Sequence, residues 1–272
     1  ARTVEDLAIL LDAMVGYDPE DPATSMGYGQ LPKTFTTFLD KDGLRGKRVG
    51  ILREPMGLFT EPDSEDFAEI GRVFERSVAE LKAAGAEIVD PIVIPDLQAL
   101  LATRPGSFFG QEETFEVYMH RNRKPPFKNR AEAIAHPDFK KVDRRAQARW
   151  TRVPDEKAHY TFLKARERLM HNLMKVMADQ RLDVIAHKAI EHSPTLIRDG
   201  INPPYVDQKG SPHINTFLVW VPTIVVPAGF TAQNLPAGLC FLGRPYDDGN
   251  LIRYAYAYEQ ATKHRRPPTT LV

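Results

Sequence analysis

What this chain has little of narrows its chemistry first. Its 272 residues contain one cysteine, Cys240, so no intramolecular disulfide framework holds it together. Lying inside an apolar run, Cys240 reads as a small buried hydrophobe rather than a reactive thiol. Net charge is absent as well, since 36 basic side chains balance 36 acidic ones; nothing in that balance calls for nucleic acid or an anionic membrane as a partner. No stretch reaches the roughly 18 consecutive apolar residues of a membrane span. The chain has no Gly-Gly pair, no Ser-Ser pair and no Gly-x-Ser-x-Gly elbow of the kind that lifts a nucleophilic serine onto a strand-to-helix turn. His187 and His192 are five apart, which suits neither one face of a strand nor a helical pair, so no metal or other cofactor is expected. Size is sufficient, because a folded chain of this length buries about 75% of its extended surface.

The most informative stretch runs from Asn215 to Tyr246, NTFLVWVPTIVVPAGFTAQNLPAGLCFLGRPY. Two apolar runs of strand length, Thr223–Gly229 and Gly238–Gly243, flank a short polar connection and predict buried neighbouring strands. Pro227 cannot donate to a sheet ladder, so part of the first run must lie at an edge, a bulge or a cavity wall. A pocket is expected there.

Earlier in the chain, Thr3 with Asp6 reads as a capping box before Val4, Leu7, Leu11 and Met14 at helical spacing, with Gly16 as the stop. Lys47–Arg53 predicts a strand. Asp63 or Ser64 caps a helix carrying Phe67, Ile70, Phe74, Val78 and Leu81, and Ala86–Ile94 predicts the next strand. A strand, helix, strand unit of this kind joins parallel strands by a right-handed crossover. Helices are also predicted over Gln111–Arg121, over Asp155–Ala178 with two adjacent apolar stripes, as a short turn within Pro212–Trp220, and from Asp247 or Asp248 to about Thr262. A further strand is predicted within Leu182–Ile190. The fold class that follows is α/β, a largely parallel or mixed twisted sheet covered by helices on both faces.

The charge anomaly lies at 121–152, with 11 Lys or Arg against Glu132, Asp138 and Asp143. A solvated helical excursion, a lid that steers anionic substrates, and an RNA or membrane surface all remain open for it, the first being the plainest.

Pro-Thr-Ile-Val-Val-Pro-Ala-Gly-Phe, then Leu-Pro-Ala-Gly, Gly-Arg-Pro and Tyr258-Glu-Gln-Ala-Thr-Lys-His-Arg-Arg-Pro-Pro268 together resemble the C-terminal end of the amidase signature family. At the other end, Ala1–Asp12 followed by Gly16-Tyr-Asp-Pro-Glu-Asp-Pro-Ala-Thr24 resembles the segment that follows that family's catalytic core. The middle, 124–202, matches only loosely. The resemblance implies hydrolysis of a carboxylic amide through a serine acyl-enzyme, assisted by a second serine in a cis peptide and a lysine. The family's nucleophile sits in a Gly-Ser-Ser-Gly-Gly type loop preceding the segment with which this chain begins, and its lysine lies earlier still. Residues 1–272 therefore read as the C-terminal portion of a single amidase signature domain, with no catalytic residue of their own and a missing N-terminal catalytic half as partner. Removing the nucleophile of a serine hydrolase costs on the order of 10⁶ in kcat, so the chain alone is expected to be inactive.

In the resembled family an Asn five residues and a Gly two residues before the first Pro line the acyl pocket. Counted back from Pro222, those positions hold Phe217 and Trp220. With Asn215 supplying the displaced amide, the three form the expected substrate-binding set for a small-molecule amide, ordinary core packing being the alternative for both aromatics. Two other functions stay open, a non-catalytic binding module and a glutaminyl-tRNA amidotransferase subunit. A homodimer is also left open, and a cytoplasmic location is the expectation.

Overall fold

The computed structural model describes residues 1–105, 109–218 and 220–268, with the side chain of Thr216 left aside. In chain order the elements are helix α1 (Val4–Met14), strand β1 (Arg48–Leu52), α2 (Glu65–Ala83), β2 (Glu87–Ile92), α3 (Leu97–Leu101), α4 (Gln111–His120), α5 (Arg130–Ala135), α6 (Arg144–Thr151), α7 (Glu156–Asp179), β3 (Val184–Lys188), α8 (Ile197–Ile201), α9 (Ile214–Phe217), β4 (Thr223–Phe230), β5 (Pro236–Leu242) and α10 (Asp248–Thr262). Two compact units emerge, one of residues 1–98 with 170–272 and one of residues 99–169.

The first unit is built on a five-stranded sheet in the order β2-β1-β3-β5-β4. β1 pairs parallel with both β2 and β3, whereas β5 runs antiparallel to β3 and β4, so the sheet is mixed. The β1, α2, β2 unit forms where the apolar periodicity predicts it. Ser64 caps α2 by accepting from the Phe67 amide, and Ile70, Val73, Phe74 and Leu81 are buried beneath it. Thr3 likewise caps α1 by accepting from Asp6 N at 3.0 Å. The principal core lies on one face of the sheet: Val184 and Ala186 of β3, Ile224, Val226 and Ala228 of β4, and Leu239 and Phe241 of β5 pack with α2 and with Leu251, Ala255 and Tyr258 of α10.

Several elements depart from the sequence expectation. β2 stops at Ile92 and β3 spans only Val184–Lys188. The apolar residues flanking them, Ile94 and Leu182, are buried without joining the ladder. The helix within Pro212–Trp220 has four residues, Ile214–Phe217; Val219 of that segment lies outside the described residues. Asp247 precedes α10 but its side chain caps no backbone amide, because its carboxylate accepts instead from Asn250 Nδ2 at 2.6 Å.

In the second unit the basic stretch folds as short helical pieces, α5, a 3-10 turn at Pro137–Lys141, and α6. Both α-helices have a local cause. Asn129 caps α5 through Glu132 N, and Asp143 caps α6 through the amides of Arg145 and Ala146. Along the part of α7 in this unit, Phe162, Ala165 and Leu169 are buried and Leu163 is exposed, so only one of the two apolar stripes is enclosed there.

Candidate functional site

The sequence-predicted residues lie on the short helix α9, Ile214–Phe217, and in the turn that leads from it to the β4–β5 hairpin. Along β4 burial alternates, with Ile224, Val226 and Ala228 inward and Thr223, Val225 and Pro227 outward. β4 is also the last strand in the sheet order, and its register with β5 slips between Pro227 and Gly229. Pro227 thus occupies both an edge strand and the border of a bulge, the two settings that tolerate its missing N–H.

Asn215 lies on α9, half-buried, and its Nδ2 approaches Cys240 Sγ at 3.5 Å. Cys240 sits opposite His187 in the β3–β5 ladder, and both are completely enclosed. His187 Nδ1 lies 2.8 Å from the Lys188 carbonyl, which assigns the ring proton to Nδ1 and leaves Nε2 as an acceptor. His187 Nε2 and Asn215 Oδ1 are both buried without a hydrogen-bond partner, although Asn215 and His187 lie within interaction reach. The Cys240 thiol donates to the Phe241 carbonyl at 3.8 Å. Burial disfavours the charged imidazole, but the Cys240 sulfur, the Lys188 carbonyl and Asn215 outweigh it and lift the His187 pKa. The cluster fastens α9 to the sheet.

Phe217 is completely buried, whereas Trp220 is 51% exposed. Phe217 therefore packs behind the wall, and Trp220 together with the outward Val225 and Pro227 presents apolar surface.

A second fastening holds the segment leading into α9. Glu191, just beyond β3 and 2% exposed, accepts from Met56 N at 2.6 Å, Gly57 N at 3.0 Å and Thr60 Oγ1 at 2.5 Å. The loop so held pairs with the chain entering α9, as Gly210 N donates to Leu58 O and His213 N donates to Met56 O. Gly210, at φ +69, passes so close that a Cβ there would stand 2.8 Å from Glu191 and His192 atoms. His192 itself is a joint: its Nδ1 meets Asp66 Oδ2 at 2.9 Å and its Nε2 accepts from Glu61 N at 3.0 Å. No motif or periodicity in the sequence singles out Glu191. Its partners lie more than 130 residues away, and the glycines at 57 and 210 were the available signal.

In the second unit Arg130 is nearly buried. It ion-pairs with Glu112 at 3.1 Å, donates to the Trp150 carbonyl and stacks 5.5 Å from the Trp150 ring. Phe109, Phe115, Tyr118 and Trp150 join Arg130 around a cavity of about 450 Å³.

No group of three or more His, Cys, Asp or Glu arranged to hold a metal occurs among the described residues. Within the same residues, no helix is long and apolar enough to cross a membrane.

Comparison with known proteins places these features in context. The Amidase family model matches residues 1–252. A protein described as a probable amidase from Arabidopsis thaliana is 27% identical over 285 residues, covering 98% of this chain and 48% of that protein. A glutamyl-tRNA(Gln) amidotransferase subunit from Ruegeria sp. is 30% identical over 287 residues, covering 96% of this chain and 53% of that protein. Among solved structures, native peptide amidase from Stenotrophomonas maltophilia superimposes with a TM-score of 0.79 at 27% identity, covering 100% of this chain and 54% of that one. The chain thus spans about half the length of the curated relatives it matches.

Proposed function

Because this chain belongs to the amidase signature family, we propose that it is the C-terminal portion of an amidase, supplying scaffold and one wall of the substrate pocket. The reaction is hydrolysis of a carboxylic amide to an acid and an amine or ammonia through a serine acyl-enzyme, with the serine and lysine on a polypeptide segment outside residues 1–272. The observation that carries this reading is the extent of the match: nearly the whole chain aligns, and it aligns to about half of each relative. The outward-facing Trp220, Val225 and Pro227 support it, being apolar, exposed and suited to the acyl side of an amide. In this reading Trp220 touches substrate, Asn215 fixes the wall, and Phe217 backs it.

Several relatives are glutamyl-tRNA(Gln) amidotransferase subunits, which keeps a tRNA-linked role as the second reading. Against it, the structural overlap with the Thermotoga maritima homologue of that type is lower, with a TM-score of 0.58, than with the peptide amidase. Part of the basic 121–152 stretch is also used internally, Arg130 being the main case.

The test is an amidase assay on the purified 272-residue chain beside the native polypeptide from its source, each challenged with a serine-directed fluorophosphonate. The native polypeptide is expected to release acid and to take the label, while residues 1–272 alone do neither. Turnover by residues 1–272 alone, abolished by label on a serine of that chain, would overturn the assignment of the catalytic groups. A native polypeptide that neither hydrolyses amides nor takes the label would favour a non-catalytic binding module.

A further inference from the structure

The far end of β4 carries a concentration of positive charge that the amidase reading does not use. Arg76 of α2 and the run Lys263, His264, Arg265, Arg266 after α10 surround Gly229 and Phe230, enclosing about 350 Å³. Four of these side chains are cationic at any physiological pH, and they arrive from two elements that only the fold brings together.

The charges meet neutral partners. Arg76 Nη2 donates to the Phe230 carbonyl at 3.4 Å. Arg266 stands 3.6 Å over the Phe230 ring and donates to Asn234 Oδ1, and Lys263 Nζ donates to Gln260 Oε1. The carboxylates nearby are committed elsewhere. Glu80 accepts from the Tyr258 hydroxyl and meets His264 Nε2 at 2.9 Å, and Glu259 accepts from Val4 N at 3.1 Å. Among the described residues none of the four cations is ion-paired.

The floor of this cavity is a gap with a definite shape. Gly229 sits at the register slip of β4 with φ +120 and has no side chain. A Cβ built on it would lie 2.8 Å from Arg76 Nη2 and 3.6 Å from His264 Nδ1. Arg76 Nη2 and His264 Nδ1 therefore both stand beside the bare Gly229 backbone, the other ring nitrogen of His264 being held by Glu80. With no side chain at Gly229, an anionic oxygen can approach Arg76 Nη2 from the cavity. Arg76 donates to it, and His264 lines the same cavity.

We propose that this cavity is a binding site for a phosphate group, either free phosphate or the head of a small phosphate monoester. A dianion with three outward oxygens matches donors that converge from two sides and several unpaired positive charges. A monocarboxylate would satisfy only part of them. The volume of about 350 Å³ accommodates a phosphate group together with a small organic substituent beside Phe230.

The test titrates the 272-residue chain with inorganic phosphate, phenyl phosphate and acetate at constant ionic strength, reading calorimetric binding and the thermal midpoint. Phosphate and phenyl phosphate are expected to bind saturably, with acetate at least about tenfold weaker. Arg76→Gln is expected to weaken phosphate binding about tenfold and the exposed Arg265→Gln about threefold, each with an unchanged circular dichroism spectrum. Gly229→Ala should remove binding, but its positive φ strains the strand, so the two arginine variants decide. Tighter binding of phenyl phosphate identifies the monoester as the ligand; equal binding identifies free phosphate. A signal that fails to saturate, that acetate reproduces, or that survives both arginine substitutions overturns the proposal.

Discussion

Replacing Glu191 by alanine tests whether the approach to α9 is held by one buried carboxylate. The substitution leaves the amides of Met56 and Gly57 without their acceptor, at sites where the carboxylate now stands 2.6 and 3.0 Å away. Each stranded buried donor costs about 1 to 3 kcal/mol, and the lost charge-assisted bond to Thr60 adds to this, so about 4 kcal/mol in total is expected. That is a large part of the roughly 5 to 15 kcal/mol by which a domain is stable. In urea, with a slope of about 3 kcal/mol per molar, the midpoint should fall by about 1 M. Thr60→Val is the control. It removes one hydroxyl and leaves the carboxylate its two amides, so about 1 kcal/mol should be lost. Amide hydrogen exchange should also accelerate in Glu191→Ala at Met56, Gly57 and His213, since His213 N donates to Met56 O in the same network. A midpoint shift in Glu191→Ala no larger than that of Thr60→Val would refute the argument, because the two amides would then have found water.

Other substitutions probe separate contacts. Gly50→Ala places a methyl 2.6 Å from Leu182 Cδ1 and 3.0 Å from Ile92 Cγ2 in the middle of β1, so thermal unfolding should show a loss of about 1 to 3 kcal/mol from overpacking. Burial resists the charge on Asp66, but hydrogen bonds from Ser193 N and the His192 ring outweigh it and hold this carboxyl below its ordinary value. Its contribution is therefore fully present above the unfolded aspartate pKa of about 3.9 and is lost as pH falls through the lower folded value. Urea midpoints of Asp66→Asn and the parent should accordingly converge on acidification below about pH 4. Tyr258→Phe removes the 2.5 Å bond to Glu80 Oε2; burial first, then Glu80, pushes this hydroxyl's pKa up. Guanidinium unfolding should report a loss of about 1.5 to 3 kcal/mol for that bond to a charged acceptor.

The parts of this fold that sequence reasoning reached are those whose cause is local. α2 was legible because the spacing of Phe67, Ile70, Phe74 and Leu81 and the Ser64 cap lie within one short window. The β4–β5 hairpin was legible because two apolar runs are too short for helices, and Pro227 announced the edge and bulge that the structure contains. α10 was legible as a helix, but not in its capping, since the choice of Asp247 to bind Asn250 is made between side chains. The candidate site was legible only in outline. Asn215, Phe217 and Trp220 lie on and just after α9, and burial separates them, with Phe217 enclosed and Trp220 half in solvent. That difference depends on how the chain turns after α9. Met56 lies 135 positions from Glu191, and Arg76 lies 154 from Phe230, pairings that no periodicity encodes.

The outer edge of β4 has a consequence for how this polypeptide behaves in solution. Among the described residues, the strand from Thr223 to Val226 has one ladder partner, β5, and β4 ends the sheet order. Val225 faces outward at 56% exposure. Such a margin offers main-chain groups and a β-branched surface as a template for any extended segment nearby. Pro227 and the slip at Gly229 interrupt only its second half. The first half remains competent to add a strand, so concentrated samples should self-associate along this margin, and Val225→Lys should keep them dispersed without disturbing the core behind it.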